Sequence, residues 1–360
     1  MRMVFDIGHP AHVHHFKNVI KELRKKNHKI LLLSRDKDVS FKLLRAYKLN
    51  YVALGKNYKS LIKKAISQLN INLKTLKICI KFKPNLLIGR ASPNLAFASF
   101  ILSIPFISFS DTEHARINFI FSFPFAKTIV TPSWFMKDLG EKNIKVDIYF
   151  ELAYLHPNYF KPDPEVLSIL GVAKDEKFVI LRFVSRAASH DIGHSELGLK
   201  MKKKVVKELS KYAKVFISAE EGKLSEDLKQ YQIKIPPEKM HDALYYASMY
   251  FGESGTMATE SAVMGTPSIR IPYLAVPTPG NFVNLEKEGL VYNFTDFEMA
   301  LEKGIEILCD SDSKKKWNDK KEKLLKSKID PSAFMVWFIE NYPNSRRIMK
   351  ENPDYQFNFK

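Results

Sequence analysis

Short apolar runs alternate with longer amphipathic segments along almost the whole chain. The short runs, rich in β-branched and aliphatic residues, predict buried strands, and the segments with apolar residues every three or four positions predict helices. Strands that alternate with helices in this way form parallel sheets covered by helices. The pattern therefore predicts an α/β protein.

Two series of strands are predicted, with helices at the C-terminus. The first series comprises residues 3–8, 29–35, 51–54, 85–90, 105–111 and 127–133, and the second comprises residues 177–183, 214–220, 231–235, 248–254 and 267–273. The predicted helices include residues 13–26, 61–82, 256–264, 297–308, 311–328 and 331–342. The most apolar stretch, 95–109, is too short for a membrane span and predicts a buried helix followed by a buried strand.

A proline-rich segment, 156–166, separates the two series and predicts a linker. We expect an N-terminal Rossmann-like domain over 1–155, a linker over 156–170, a C-terminal Rossmann-like domain over 171–330, and a C-terminal helix and tail over 331–360. Doubly wound domains bind ligands outside the carboxyl ends of their strands. The expected ligand site is a cleft across which the two domains face each other.

The segment GESGTMATESAVMGTP, residues 252–267, carries the clearest chemical signal. Ser254 and Gly255 follow a predicted strand and Thr256 begins a predicted helix, so unpaired N–H groups and two hydroxyls would form a seat for a phosphate or diphosphate. Gly255 has no Cβ to hinder such a ligand. Glu260 lies one turn after Thr256, within reach of a sugar on that diphosphate. The alternative is a serine N-cap followed by an ordinary surface glutamate.

The part of this segment that starts at Ser254 resembles the nucleotide-sugar fingerprint of GT-B enzymes, as found in UDP-N-acetylglucosamine 2-epimerases and in the N-acetylglucosaminyltransferase that makes lipid II. Together with the fingerprint, further stretches resemble an uncharacterised, mostly archaeal domain-of-unknown-function family related to those enzymes. These stretches are residues 6–18, 110–116, 151–157 and 182–193. The resemblance covers the chain up to about residue 330.

This resemblance implies a GT-B fold. It also implies a nucleotide-sugar donor on the C-terminal domain and an acceptor or reacting sugar facing the N-terminal domain. By the same resemblance, Ser254, Gly255 and Thr256 hold the diphosphate, and Glu260 holds the ribose. It assigns no reaction.

The loop after the first strand, 6–12, opens the first helix at a position where GT-B enzymes bring a glycine-containing loop to the ligand. Gly8 is its only glycine, so side-chain contacts are expected here, with Gly8 and His9 near the nucleotide sugar. His12 is the candidate base or hydrogen-bond donor, because imidazole titrates near neutral pH. A metal site on His9, His12, His14 and His15 is the alternative; no complete ligand set supports it, and no metal is expected.

Asp111, Glu113 and His114 follow another strand and form a candidate acid/base group, although Asp111 could instead cap the next helix. The 2-epimerases that the sequence resembles carry further acidic and arginine positions soon after the corresponding glutamate. Here residues 115–130 contain neither Asp nor Glu. This absence favours a transferase over an epimerase.

The loop after the first strand of the second series carries a cluster of basic residues. Arg182 and Arg186 are candidates for contact with the diphosphate, because arginine binds phosphate in a bidentate manner. His190 could protonate or polarise the leaving diphosphate, and Asp191 and His194 lie on the same loop. The alternative is a solvated basic loop.

The formal net charge of +18 favours an anionic partner: a phosphorylated substrate, an anionic membrane surface or nucleic acid. Specific nucleic-acid binding is not expected, because no helix-turn-helix, zinc-finger or RNP pattern occurs. The lysine-rich segment 311–328 is amphipathic and would either lie on an anionic membrane or cover the second domain as a solvated outer helix. Peripheral membrane contact and a lipid-phosphate-linked acceptor stay open.

The two cysteines, Cys79 and Cys309, form no CxxC pair, which fits a reducing compartment. The N-terminus shows no signal-peptide pattern, so we expect a cytoplasmic protein. The predicted function is transfer of a sugar from a nucleoside diphosphate, UDP being favoured, to an unknown acceptor without a further cofactor. The alternatives are a UDP-N-acetylglucosamine 2-epimerase-like enzyme and a non-catalytic basic module.

Overall fold

The computed structural model describes residues 1–37, 39–56, 61–113, 116–183, 195–219, 224–272 and 278–360. The chain divides into two compact units. Unit 1 consists of Met1–Tyr159 together with Ser327–Lys360, and unit 2 consists of Phe160–Lys326. Each unit is built around its own parallel β-sheet.

The strands, in chain order, are β1 Arg2–Ile7, β2 Lys29–Asp36, β3 Val52–Lys56, β4 Leu86–Gly89, β5 Phe106–Phe109, β6 Thr128–Pro132, β7 Asn143–Val146, β8 Phe178–Arg182, β9 Lys214–Ser218, β10 Met249–Gly252, β11 Ser268–Arg270 and β12 Val291–Asn293.

The α-helices are α1 Pro10–Lys25, α2 Ser40–Ala46, α3 Leu61–Phe82, α4 Pro93–Leu102, α5 Arg116–Phe121, α6 Leu152–Leu155, α7 Glu165–Leu170, α8 Ser195–Leu209, α9 Glu226–Lys229, α10 Met240–Tyr246, α11 Gly255–Met264, α12 Gly280–Lys287, α13 Phe297–Cys309, α14 Ser313–Ser327, α15 Pro331–Glu340 and α16 Asn344–Glu351.

In the described part of unit 1, seven parallel strands lie in the order β3-β2-β1-β4-β5-β6-β7. The strand order reverses between β1 and β4, so the loops that follow these two strands leave the sheet in opposite directions. Such a topological switch point is where open α/β sheets bind ligands. A ligand site in unit 1 is therefore expected at the loops after β1 and β4.

In the described part of unit 2, five parallel strands lie in the order β12-β11-β10-β8-β9, and the switch point falls between β8 and β10. Helix α11 starts directly after β10 and ends at Gly265, which has a φ of 79° in the left-handed region. Glycine reaches this conformation without steric cost, so the helix can end sharply before β11. The segment SGTMATESAVMGTP, residues 254–267 and hereafter the SGT segment, thus begins at the switch point of unit 2.

The predicted α/β class is confirmed, and ten of the predicted strands have counterparts in the sheets. The predicted strand 231–235 is wrong: only Gln232 pairs, in an isolated bridge with Ile217. A 3-10 helix begins at Pro237, and the prolines there end any extended pairing. The short edge strands β7 and β12 were not predicted, because four- and three-residue strands leave almost no periodicity.

The C-terminal helices divide between the units. Helix α14 belongs to unit 2, where Trp317 is buried and donates a hydrogen bond of 3.0 Å to the carbonyl of Leu290. Helix α15 belongs to unit 1 and packs on α1, and the Ser332 hydroxyl donates to the carbonyl of Ala153 at 2.8 Å. The predicted helices over 311–328 and 331–342 are confirmed with slightly shorter bounds.

The apolar stretch 95–109 forms part of α4 and then β5, whose residues are all buried. This agrees with the predicted buried helix followed by a buried strand. Throughout the described ranges, no helix has both the length and the apolar character that crossing a membrane requires.

Candidate functional site

In unit 2, Gly252 brings two strands together at the switch point. Gly252 ends β10 and pairs with Arg182 at the end of β8. A Cβ on Gly252 would lie 2.3 Å from the carbonyl oxygen of Arg182, and the N–H of Glu253 donates to that same oxygen at 2.8 Å. Only glycine permits this approach, and it sets the position at which the chain enters α11.

The start of α11 presents backbone N–H groups and two hydroxyls. Ser254 is the N-cap residue, and its Oγ accepts a hydrogen bond from the N–H of Met257 at 3.4 Å. The predicted alternative of a serine N-cap is therefore realised, but a hydroxyl that accepts one bond can still donate its own proton to an anion. Gly255 is half-buried and Thr256 is exposed. The first turn of α11 is thus chemically suited to an anion.

Arg270, at the end of β11, lies beside this helix start. Its side chain is buried, with 8% of the residue exposed, and its guanidinium stacks on the Phe282 ring at 3.9 Å. Its Nη1 donates to Oδ1 of Asn293 at 3.1 Å, but Nε has no hydrogen-bond partner among the residues that the structure describes. That Nε lies 4.0 Å from where a Cβ on Gly255 would stand.

The environment of Arg270 is costly for a cation. Burial lowers the pKa of its guanidinium, and the nearby Tyr250 and Glu286 offset this only in part. Asn293 also has a buried amide nitrogen, Nδ2, without a partner in the described ranges. A buried charge with an unmet donor is expensive unless a ligand pairs with it. An anion at the start of α11 would pair with the charge of Arg270 and accept a hydrogen bond from its unmet donor.

Glu260 turns into unit 2 rather than to the solvent. Its side chain is 6% exposed, and Oε1 lies 3.0 Å from Nε2 of His241, which is equally buried. His241 belongs to α10, so the pair ties α10 to α11. The alternative of an ordinary surface glutamate is therefore wrong, because Glu260 lies in the buried part of α11. The predicted ribose contact stays a prediction.

Only part of the predicted basic loop after β8 can be placed. Nη1 of Arg182 donates to the Ser218 hydroxyl at 3.3 Å across neighbouring strands. This contact places the Arg182 guanidinium over the carboxyl edge of the sheet. The other residues predicted on this loop, Arg186, His190, Asp191 and His194, lie outside the described residues.

In unit 1, the loop after β1 holds His12 in a defined orientation. The N–H of Gly8 donates to Nδ1 of His12 at 3.3 Å, and His9 caps α1 by accepting from the N–H of Ala11 at 3.2 Å. Burial, followed by the charge of Arg90, lowers the pKa of His12 well below its usual value. Neutral imidazole with an accepting Nδ1 carries its proton on Nε2. Of the two predicted roles, this geometry favours the hydrogen-bond donor over the base.

A partly buried chain of polar side chains connects α1 with the segments that follow β4 and β5. Nη1 of Arg90 contacts Nδ1 of His15, Nη2 of Arg90 donates to Oδ1 of Asp111, and the guanidinium stacks on Phe150 at 4.6 Å. Since arginine only donates, His15 accepts as a neutral ring, and burial together with Arg90 lowers its pKa well below the usual value. Asp111 is therefore an ion-pair partner of Arg90.

A second network lies at the switch point itself. Asp6 is buried in β1 and accepts from Nδ2 of Asn94 at 3.3 Å. The Asn94 oxygen accepts in turn from Nη2 of Arg35 at 2.6 Å and from the Ser92 hydroxyl at 3.1 Å. These bonds tie the carboxyl ends of β1 and β2 to the start of α4. The carboxyl edge of unit 1 thus carries cations as well as imidazoles.

Glu113 does not face outward with Asp111. It is 4% exposed, and its Oε1 accepts the N–H of Met136 in the segment after β6. This contact anchors one loop to the next and places the carboxylate inside unit 1; its role as acid or base stays a prediction. His114 lies outside the described residues.

Several residues of these clusters were not predicted from the sequence, namely Arg90, Arg270, Asn293, His15 and His241. Arg90 ends the predicted strand 85–90, where a cation indicates a ligand site, whereas Arg270 lies in the middle of the predicted strand 267–273 and ends a strand only in the structure. From the sequence, His15 was assigned only to the alternative metal site. Across the described residues, no three His, Cys, Asp or Glu side chains come together in a way that could hold a metal ion.

Comparison with known sequences links the chain to one family and one curated relative. The family described as "Protein of unknown function (DUF354)" matches residues 1–331. The uncharacterized protein MJ0665 of Methanocaldococcus jannaschii is 28% identical over 274 residues, which span 73% of this chain and 80% of that protein. The family match extends to the end of unit 2 and slightly beyond.

Comparison with solved structures identifies the fold. The UDP-GlcNAc 2-epimerase of Methanocaldococcus jannaschii matches with a TM-score of 0.60 and 12% identity over 86% of this chain and 94% of its own. The spinosyn rhamnosyltransferase SpnG in complex with thymidine diphosphate matches with a TM-score of 0.62 and 13% identity over 94% of this chain and 100% of its own. At such identities the likeness concerns the fold alone, and it confirms the predicted GT-B fold.

Proposed function

Because the chain belongs to the family described as "Protein of unknown function (DUF354)", we propose its function from the geometry of its own residues. It binds a nucleoside-diphosphate sugar on unit 2 and transfers the sugar to an acceptor. One observation carries the proposal: the buried guanidinium of Arg270 beside the start of α11, whose Nε has no hydrogen-bond partner within the described ranges. A diphosphate would place negative charge beside this guanidinium, which Tyr250 and Glu286 offset only in part.

The diphosphate would accept hydrogen bonds from three kinds of donor. These are the N–H groups of the first turn of α11, the Ser254 hydroxyl and the Nε of Arg270. Gly255 leaves room for a phosphate oxygen next to the backbone. Donors fixed before the ligand arrives also stabilise the diphosphate as it leaves, because charge builds up there when the sugar departs. Arg182 at the end of β8 contributes a further cation.

The nucleoside would contact Glu260. His241 fixes the orientation of this carboxylate at 3.0 Å, and a carboxylate accepts hydrogen bonds from the two neighbouring ribose hydroxyls. Loss of the ribose contact should weaken binding of the free nucleotide and of the nucleotide sugar alike. UDP is the favoured nucleotide through the resemblance of the SGT segment.

The acceptor would bind at the carboxyl edge of unit 1. Asp111 takes the proton of the acceptor hydroxyl; Arg90 and Thr112 contact its Oδ1, so Oδ2 is the oxygen we assign to proton uptake. The acceptor oxygen then forms a bond to the anomeric carbon while the bond from that carbon to the diphosphate breaks, and the electron pair leaves with the diphosphate. His12 donates a hydrogen bond from Nε2 to a bound oxygen.

The alternative function is epimerisation of the nucleotide sugar. It is favoured by the likeness to the Methanocaldococcus jannaschii epimerase and opposed by the lack of carboxylates over 115–130. Proton NMR of the nucleotide sugar, incubated with the protein alone, separates the two. An epimerase converts the donor without an acceptor, whereas a transferase leaves its configuration unchanged.

Calorimetric titration tests the binding step. UDP and UDP-N-acetylglucosamine are titrated into the full chain and into Glu260→Gln, at two salt concentrations. We expect saturable binding of both ligands to the wild type and weaker binding of both to the variant. If neither ligand binds, or if binding is equal in the two proteins, the proposed donor site is wrong. Binding of an unrelated polyanion that falls steeply with salt would instead indicate the non-catalytic basic module.

A further inference from the structure

Helix α3 of unit 1 has two apolar faces, and only one of them is buried. The inner face contributes Ile71 and Cys79 to the core. Four large apolar side chains lie on the other side, three, four and seven residues apart, which places them on one strip of a helix with 3.6 residues per turn. They are Ile66, Leu69, Leu73 and Ile80, which are 58%, 57%, 44% and 54% exposed.

The apolar surface continues on the neighbouring helices. Helices α3 and α4 and the segment after α5 cover the same face of the sheet, because Ile71, Leu95 and Phe123 share one buried cluster. Phe100 of α4 is 67% exposed, and its ring contacts Phe125 at 5.5 Å. Ile101, Ile120 and Phe121 are also exposed. We call the exposed apolar side chains of α3, α4 and α5 the outer apolar face.

Positive charge accompanies the outer apolar face. Lys74, Lys77 and Lys81 recur every three or four residues and follow the apolar strip along its side on α3. The sequence of α3, from 61 to 82, contains five lysines and neither Asp nor Glu. On this part of the surface, no acidic side chain from the same segment offsets the lysines.

We propose that the outer apolar face adsorbs to an anionic lipid surface. A cluster of large exposed apolar side chains marks an interaction site. A second copy of the chain would bring the same lysines to the contact and be repelled. An anionic lipid surface instead offers negative headgroups to the lysines and an apolar interior to the exposed apolar side chains beside them. The helices would lie on the surface without crossing it. This inference concerns a surface of unit 1 and does not rest on the proposed sugar transfer.

The other lysine-rich helix, α14, lacks such a face. Its apolar side chains Trp317 and Leu324 are 4% and 1% exposed and pack inside unit 2. This arrangement matches the solvated outer helix that covers the second domain. Helix α14 therefore supplies controls: its lysines carry the same charge without an exposed apolar strip beside them.

Vesicle co-sedimentation of the full chain tests the proposal. One set of vesicles contains phosphatidylcholine alone, and the other contains phosphatidylcholine with phosphatidylglycerol. We expect binding to the second set only, reduced by added salt. Leu69→Ser with Leu73→Ser should lower binding by about tenfold for each residue, and Lys77→Gln by about fivefold. The matched controls are Met299→Ser, a 58% exposed apolar side chain of unit 2, and Lys323→Gln of α14.

The substituted side chains are exposed, so the variants should fold, and thermal unfolding checks this. Equal binding of the wild type and the Leu69→Ser, Leu73→Ser variant would overturn the proposal. So would loss of binding in the Lys323→Gln control to the same extent as in Lys77→Gln. A wild type that sediments as a dimer without lipid, does not bind vesicles, and becomes monomeric in the double variant would show that a second copy covers this face instead.

Discussion

The Nε of Arg270 lies 4.0 Å from the point that a Cβ on Gly255 would occupy. One residue ends a central strand and the other begins the helix after the neighbouring strand. The missing side chain of Gly255 and the Arg270 Nε, which has no partner in the part of the chain that the structure describes, therefore border the same small space. We interpret this space as the seat of a phosphate group.

Gly255→Ala should weaken nucleotide binding without unfolding the protein. The new Cβ would lie 3.4 Å from the Phe282 ring, which is ordinary contact, and alanine is a better helix former than glycine. However, the methyl group would occupy the approach of the phosphate to the backbone. Calorimetry with UDP should show about a tenfold loss of affinity. Unchanged affinity would place the phosphate elsewhere.

Gly252→Ala, in contrast, should destabilise the fold, and it provides a matched comparison for Gly255→Ala. Its Cβ would meet the Arg182 carbonyl at 2.3 Å, so β8 and β10 would have to separate. We expect the free energy of unfolding to fall by about 2 kcal/mol, as in other overpacked cores. Urea unfolding measures this loss. A stability equal to that of Gly255→Ala would contradict the close approach of the two strands.

Acid should destabilise unit 1 through His15. Burial lowers the pKa of His15 in the folded protein below its value of about 6.5 in the unfolded chain. The unfolded state therefore binds the proton first, and the contribution of His15 to stability is complete above about pH 6.5 and is lost as the pH falls below it. The slope in this range is about 1.4 kcal/mol per pH unit for one group.

The variant His15→Gln isolates this effect. Glutamine can still accept from Arg90, but it does not titrate. Urea unfolding followed by tryptophan fluorescence at several pH values should show a shallower decline below about pH 6.5 than in the wild type. Parallel curves for the two proteins would mean that His15 is not a neutral buried group.

The tautomer of His12 predicts which substitutions preserve turnover. If Nε2 acts as a donor, His12→Gln keeps an N–H group near the same place and retains part of the activity, whereas His12→Leu loses it. The loss of one preorganised donor costs about 10²- to 10³-fold in kcat. If both variants are equally inactive while nucleotide binding is unchanged, His12 acts as the base after all.

The architecture was accessible from the sequence because buried parallel strands leave continuous apolar runs. β1, β5, β8 and β10 are almost entirely buried, and each was predicted. The strand predicted over 231–235 was wrong because its apolar residues do not reveal whether a neighbouring strand is present to pair with. Strand β12 has one fully buried residue in three, too little for a periodic signal.

The candidate site was predicted in part, for a related reason. The start of α11 could be recognised because Ser254, Gly255 and the following helix are adjacent in the chain. The partners of this segment are distant in sequence: Arg270 comes from the next strand and His241 from α10. Local patterns cannot show such pairings, and the sequence alone gave no reason to expect that Arg90 would lie between His15 and Asp111.

The central claim is that Arg270 pairs with a diphosphate on unit 2, and the titration of UDP into Arg270→Gln tests it most directly. Arg347→Gln removes the same charge from an exposed position of α16 and serves as the control. Arg270→Lys, with thermal unfolding of every variant, separates lost charge from lost packing. We predict that affinity for UDP falls by about tenfold or more in Arg270→Gln and is unchanged in the control. Equal affinity of the folded Arg270→Gln variant and the wild type would contradict the account.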